Sequence, residues 1–226
     1  MNGLTQTGAH EYPGPASATD EWVIAGVADF DHSGFDDILW QDILTGNIYI
    51  WKSVAPLSFS GIYLGTVDPV WRIAGAADVE GNGRPDIIWR NVETGEVDIW
   101  KLANDQVSAQ VSLGQVSLDF QILGLADFNG DRKQDILWRS IATGNVYVWG
   151  MNGLSIGTEW YAGTSGLDWG IVGTPALYGT DSPNDLLWLN PTTGAVTTWI
   201  GSPGYFGQLQ PFANAGTGYL PMPAGQ

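Results

Sequence analysis

"DFNGDRKQDILWRSIATGNVYVW", residues 127–149, runs from a loop dense in oxygen-bearing side chains into two short apolar stretches parted by a Thr-Gly turn. The same order of parts returns along the chain. Trp22, Trp71, Phe120 and Trp169 each open a copy and stand 49 residues apart. Trp40, Trp89, Trp138 and Trp188 recur inside it, as do Trp51, Trp100, Trp149 and Trp199, with one residue inserted in the fourth copy. The turn Thr143-Gly144 has its counterparts in Thr45-Gly46, Thr94-Gly95 and Thr193-Gly194. A fixed period of this length decides the architecture before any local propensity does.

Each copy divides into short β-type runs. In the first they are "WVIAGVADF", "DDILWQ", "NIYIWK" and "FSGIYLG", split by turn residues. No copy sustains a 3.6-residue period for more than about two turns, and glycine interrupts every window, so a helical reading fails. Four short strands in a unit of this size make one blade of a β-propeller, a small sheet that buries its faces on its neighbours. The fold class is therefore all-β: four four-stranded repeats, preceded by an extra amino-terminal strand. The expected divisions are 1–21 for that strand and its lead-in, blades over 22–70, 71–119, 120–168 and 169–213, and a tail over 214–226. Most of the 12 tryptophans are expected to pack blade on blade, with stacking platforms for sugars as their other use.

Charge narrows the partners. The chain carries 24 acids against 8 bases, a formal charge of −16, which disfavours nucleic acid and anionic lipid. No apolar run approaches the roughly 20 residues that span a bilayer, so membrane insertion is not expected. There is no cysteine, hence no disulfide and no thiolate metal site. The opening "MNGLTQTGAHEYPGP" lacks the basic and apolar regions of a secretory signal.

The loop after the first strand concentrates the acids. Its copies read "DFDHSGFDD" from Asp29, "DVEGNGRPD" from Asp78, "DFNGDRKQD" from Asp127 and "ALYGTDSPND" from Ala176. The first three keep oxygen-bearing side chains at loop positions 1, 3, 5 and 9. A calcium ion takes six to eight oxygens at about 2.3–2.6 Å, and a tight loop offering alternate side chains can supply them. The candidate ligands are Asp29, Asp31, Ser33, the carbonyl of Phe35, and Asp37 in the first loop. In the second they are Asp78, Glu80, Asn82, the carbonyl of Arg84, and Asp86. The third offers Asp127, Asn129, Asp131, the carbonyl of Lys133, and Asp135. Gly34 allows the bend, Arg132 stands at the matching place in the third loop, and Asp36 faces solvent. Polar hairpin loops also use Asp and Asn to cap turns, but such turns do not call for an acid at the ninth position, and clustered carboxylates repel without a cation. Three structural calcium ions would bring the charge of −16 to about −10. Magnesium fits less well, because it demands tighter octahedral geometry.

The opening tryptophan, the glycine-bearing first strand, the "DFNGD"-type loop, "DILWR", the Thr-Gly turn, "VYVW" and "MNG" together resemble the FG-GAP or VCBS-type repeat of β-propellers. The form is the tryptophan-rich one of bacterial secreted and surface proteins, and the resemblance covers Trp22 to about Ala213. In that family, which includes the integrin α head, the calcium loop stiffens a blade rim away from the ligand face. The resemblance thus implies a structural metal, and none for the fourth repeat, which departs from the motif at Ala176 and Tyr178. Family propellers usually close with seven blades, so four repeats imply either a closed four-blade ring or an open arc completed by oligomerisation or docking. Met1-Asn2-Gly3-Leu4 matches Met151-Asn152-Gly153-Leu154, so the chain is expected to begin on an outer strand.

Catalysis has little to stand on: the histidines are His10 and His32, and the only paired carboxylates lie where calcium would take them. The expected function is a non-catalytic, calcium-stabilised binding module outside the cell or on its surface, with protein or glycan as ligand. The alternative is a structural element that decorates or cements an extracellular fibre, surface layer or virion. Either reading allows self-association or docking on a larger assembly.

Overall fold

The computed structural model describes residues 21–55, 58–177, 183–202 and 205–212. These form sixteen strands and no helix. Blade 1 holds β1 (Trp22–Ala28), β2 (Asp37–Asp42), β3 (Asn47–Ala55) and β4 (Ser58–Thr66). Blade 2 holds β5 (Trp71–Ala77), β6 (Asp86–Asn91), β7 (Glu96–Ala103) and β8 (Gln106–Gln115). Blade 3 holds β9 (Phe120–Ala126), β10 (Asp135–Ser140), β11 (Asn145–Met151) and β12 (Ile156–Thr164). Blade 4 holds β13 (Gly170–Gly173), β14 (Leu186–Asn190), β15 (Ala195–Ser202) and β16 (Tyr205–Phe212).

Each sheet is an antiparallel meander drawn from one uninterrupted stretch of chain, and the four stand in a ring as a four-bladed β-propeller. β16 pairs with β15 as the outer strand of blade 4. The amino-terminal strand expected over 1–21 and the tail over 214–226 lie outside the described residues, Glu21 excepted.

The residue pattern explains why both faces of a blade are apolar. In β11, Val146 and Val148 point to one face, Tyr147 and Trp149 to the other. Repeated in every sheet, this gives each blade an aliphatic face and an aromatic face. The aliphatic face of blade 1 (Leu39, Ile48, Ile50) meets the aromatic face of blade 2 (Trp89, Trp100). Blades 2 and 3 join in the same way around Trp138, and blades 3 and 4 around Trp188 and Trp199. Trp89, Trp138 and Trp188 are 1%, 2% and 1% exposed, which makes them the largest anchors of the core. Each is paired with the second tryptophan of its repeat, at centroid distances of 4.8, 5.0 and 5.2 Å. Blade packing is thus what these tryptophans do.

The innermost strands carry glycine at a shared place. Each skips one residue of its pairing register just before Gly26, Gly75, Gly124 or Gly173. At Gly75, whose φ is 151°, a Cβ would be strained by the backbone and would lie 2.7 Å from Leu125 Cδ1 of the next blade, whose side chain would have to shift. All the acidic loops then emerge at one end of the ring, and the Thr-Gly turns at the other.

Candidate metal centre

The loop after each of the first three inner strands is shaped by two left-handed residues. In the first loop these are His32 and Gly34, in the second Gly81 and Gly83, in the third Gly130 and Arg132. Arg132, at φ 67°, takes the place of a bend glycine, as the sequence implied.

That bend turns successive amide hydrogens toward the first carboxylate. Asp29 accepts from the backbone N–H of Ser33 at 2.9 Å and of Gly34 at 2.8 Å. Asp78 does the same for Asn82 at 3.0 Å and Gly83 at 2.7 Å. Asp127 receives Gly130 at 2.6 Å and Arg132 at 2.7 Å. Position 5 caps the bend: Ser33 Oγ accepts from Phe35 N–H at 3.3 Å, Asn82 Oδ1 from Arg84 at 2.8 Å, and Asp131 Oδ1 from Lys133 at 2.9 Å. The carbonyl-bearing residues Phe35, Arg84 and Lys133 are therefore fixed by their own N–H groups.

The ninth position has a second duty. Asp37 is buried and accepts N–H bonds from Phe30 at 3.0 Å and from Ser53, on β3, at 2.8 Å. Asp135 accepts from Phe128 at 2.9 Å and Met151 at 2.9 Å. Asp185 of the fourth repeat repeats the clamp, with Leu177 at 2.9 Å and Gly201 at 2.7 Å. The expectation that a turn has no use for an acid here is thereby corrected. The carboxylate ties the loop to the third strand, whatever else it does. Asp86 differs: Oδ1 takes Leu102 N–H at 3.1 Å, while Oδ2 is buried without a hydrogen-bond partner.

Burial sets the charge state of this clamp. Desolvation pushes the Asp86 and Asp135 carboxyls up to about 7, against backbone hydrogen bonds that pull the other way. Asp37 is raised for the same reason, with further repulsion from Asp31 and Asp29. A cation among these oxygens would relieve both penalties.

Position 3 already has a cation in two loops. Lys52 reaches Asp31 at 2.9 Å and also Asp105 of blade 2 at 2.8 Å; its hydrogen bond holds the Asp31 carboxyl below the usual range. Lys101 reaches Glu80 at 2.6 Å. In the third loop the acid is replaced by Asn129 and the lysine by Gly150; there Lys133 approaches Asp131 at 3.4 Å. Sequence reading missed Lys52 and Lys101, whose signal is their shared place, directly after Trp51 and Trp100.

Asp29, Asp31 and Asp37 each bring a carboxylate oxygen within 4.8 Å of the others. That spacing suits one cation bound at about 2.3–2.6 Å, so the first loop could hold an ion. In the second loop Asp78 and Glu80 are engaged, and the orphaned Asp86 Oδ2 is the atom that fits a cation best. In the third, Asp127, Asn129, Asp131 and Asp135 share the bend, each with hydrogen bonds of its own.

No family model matches the chain, and no curated protein matches it. Among solved structures, a luciferin-regenerating enzyme is similar at 12% identity and TM-score 0.49, over 82% of this chain and 59% of that one. A chain of the Photorhabdus luminescens Tc holotoxin pore is similar at 14% and 0.40, over 88% of this chain and 12% of that one. A chain of the mitotic checkpoint complex is similar at 10% and 0.33, over 93% and 90%. The chain thus spans 59% and 12% of the first two. The class defined by the fold is a four-bladed β-propeller built from internal repeats.

Proposed function

We propose that this chain is an FG-GAP/VCBS-type propeller that serves as a non-catalytic, calcium-stabilised binding module outside the cell. The rigid end with the acidic loops would be the stiffened one, and the end with the Thr-Gly turns would meet the ligand. The observation that carries the binding reading is a pair of aromatic ladders at the turn end. Trp22 meets Tyr49 edge-on at 5.6 Å across blade 1, and Tyr49 meets Tyr63 at a tilt at 5.0 Å. Phe120, Tyr147 and Tyr161 repeat this edge-on and tilted series across blade 3 at 5.9 and 5.3 Å. Tyr63 and Tyr161 are each 53% exposed. Their hydroxyls meet Thr66 and Thr164 at 2.5 Å, and those threonines bond to Asn47 and Asn145 at 2.6 and 2.7 Å. Ring faces beside ordered hydroxyl and amide groups suit a glycan, which has apolar faces and polar edges.

Calcium enters through Asp29, Asp31, Ser33, Phe35 and Asp37, and by repetition through the second and third loops. When bound it would supply charge neutralisation and loop stiffness, at the millimolar concentrations found outside cells. A second reading, a structural element of an extracellular assembly, draws on a different observation. Trp40 of blade 1 is less buried than its three counterparts, and among the described residues no core cluster joins blade 4 to blade 1.

A glycan array, run beside size-exclusion chromatography with light scattering in calcium and in chelator, tests both. Retention of a monomer on glycans supports the module and sinks the structural reading. Calcium-dependent polymerisation without glycan retention does the reverse.

A further inference from the structure

Two clefts open at the turn end, and the repeat makes them comparable residue by residue. The one between blades 1 and 2, about 450 Å³, is lined by Trp71, Trp89, Trp100, Asp98, Asp68 and Gln110. Its counterpart between blades 2 and 3, about 310 Å³, is lined at the matching places by Phe120, Trp138, Trp149, Tyr147 and Glu159.

The second cleft carries its own cation. Arg90, from blade 2, lays its guanidinium carbon 5.1 Å from the centre of the Trp138 ring. The fork is held there by the carbonyls of Gly95, Val116 at 2.8 Å and Ser117 at 3.0 Å. The junction of blades 3 and 4 repeats the device: Arg139 lies 5.4 Å from the Trp188 ring, tied to the carbonyls of Trp169 at 2.7 Å and Gly166 at 2.6 Å. A planar guanidinium over an indole is the favoured form of cation–π contact, strongest when shielded from water.

The first cleft lacks that arginine. Gln41 occupies its place, giving Nε2–H to Trp71 C=O at 2.7 Å and accepting Ile73 N–H at 3.0 Å. Arg72 pairs across strands with Arg90 and so projects from the same face of blade 2, away from Trp89; its Nη1 is bound to the carbonyls of Pro69 and Trp71. Meanwhile the acids have shifted, two gained for one lost, since Gln110 stands where the next repeat has Glu159. Asp98 pairs directly with Trp89 where Tyr147 pairs with Trp138, and Asp68 stands where the next repeat has Ser117. Burial raises the Asp98 carboxyl, although a Ser112 hydrogen bond opposes it, and the nearby Glu96 charge raises it further. An arriving cation would remove that penalty.

We propose that the cleft between blades 1 and 2 binds a guanidinium group from outside the chain, the side chain of an arginine in a partner peptide. It would sit against Val67 and Asp68, which match the Val116 and Ser117 whose carbonyls hold Arg90, and pair with Asp98; the Trp89 ring beneath is itself covered. The charge of −16 draws such a partner in. The proposal deepens the binding-module reading and rests on it, but it is independent of calcium.

The test titrates the full chain with Nα-acetyl-L-arginine amide, followed by tryptophan fluorescence and NMR, with Nα-acetyl-L-citrulline amide as the uncharged control. Saturable binding of the arginine probe, at least tenfold tighter than the citrulline probe, is expected. Asp98→Asn should weaken it about tenfold with an unchanged near-UV circular dichroism spectrum. Gln41→Arg, which installs the internal cation that blades 2 and 3 already have, should abolish binding with an unchanged near-UV circular dichroism spectrum, although losing the acceptor for Ile73 N–H lowers the melting temperature somewhat. Equal binding of the citrulline probe, or of a lysine amide, overturns the guanidinium assignment. Binding that survives Gln41→Arg overturns the site. Glycan or protein capture that persists while the arginine probe does nothing sinks this proposal and leaves the binding-module reading standing.

Discussion

The first and fourth acidic loops differ in almost every residue that matters for a metal, yet they end in the same device. Loop 1 begins with Asp29 and continues through Asp31 and Ser33; loop 4 begins with Ala176. Even so, Asp185 holds Leu177 and Gly201 as Asp37 holds Phe30 and Ser53, with all four bonds between 2.7 and 3.0 Å. The acidic motif is therefore two devices superposed. A carboxylate clamp at position 9 belongs to the fold, and the oxygens at positions 1, 3 and 5 are the added layer that a cation could use.

The sharpest way to break this division is to delete the clamp. Asp135→Ala strands two N–H donors, those of Phe128 and Met151, behind a fully buried position. Each unsatisfied buried donor costs about 1–3 kcal/mol, so a loss of roughly 2–5 kcal/mol is expected in chemical denaturation. Asp185→Ala should cost a similar amount, although its loop has no metal motif. If Asp185→Ala is neutral, the clamp is not a folding device.

Next in size is the effect of calcium itself. A ligand present at about 100 times its Kd stabilises by about 2.7 kcal/mol, so chelation should lower the melting temperature by several degrees. Asp29→Ala should erase the part of that response due to loop 1, whereas Asp185→Ala should leave the whole response intact. A melting temperature indifferent to chelator refutes the metal while sparing the clamp.

The raised carboxyls add a pH signature. Asp86 and Asp135 titrate near 7 when folded and near the ordinary 3.8 when unfolded, so between those values the folded chain binds more protons. Stability in chelator should therefore fall as pH rises from about 4 to 7, and level off above. Calcium at saturation should flatten that slope, because it favours the ionised carboxylates. A melting temperature in chelator that instead climbs with pH over this range would show that the backbone donors outweigh desolvation.

How much of this was legible in the sequence depends on what repeats. The tryptophan spacing and Thr-Gly turns announced four-stranded blades, because every blade must solve the same packing problem with the same large rings. The loop bend was legible too, down to Arg132 standing in a glycine's place. The clamp was not, because an aspartate that accepts two backbone N–H groups and one that ligates a metal are the same letter at the same position. Only Asp185, buried in a loop with Ala176 and Tyr178 at the motif's first and third places, separates the two. The lysines were hidden for another reason: Lys52 and Asp31 are far apart in the chain and meet through the register of the sheet. The special character of the first cleft was also hidden, since Gln41 and Asp98 gain meaning only beside Arg90 and Tyr147.

The smallest expected effect concerns that lysine. Loops 1 and 2 have both an acid at position 3 and a lysine after the second tryptophan; loop 3 has neither, with Asn129 and Gly150 in their places. A Cβ at Gly150 would run into Thr158 Oγ1, so blade 3 has no room for the lysine without rearrangement. The pairing reads as charge compensation, in which an ammonium neutralises the extra acid and competes with a cation for it. Lys52→Met should then cost less than about 1 kcal/mol, since the pair is near the surface and screened. It should also tighten calcium binding at loop 1 severalfold, read by calorimetry in the presence and absence of salt. Unchanged affinity would mean that Asp31 is not a ligand, and that the lysine serves only to bridge blade 1 to Asp105 of blade 2.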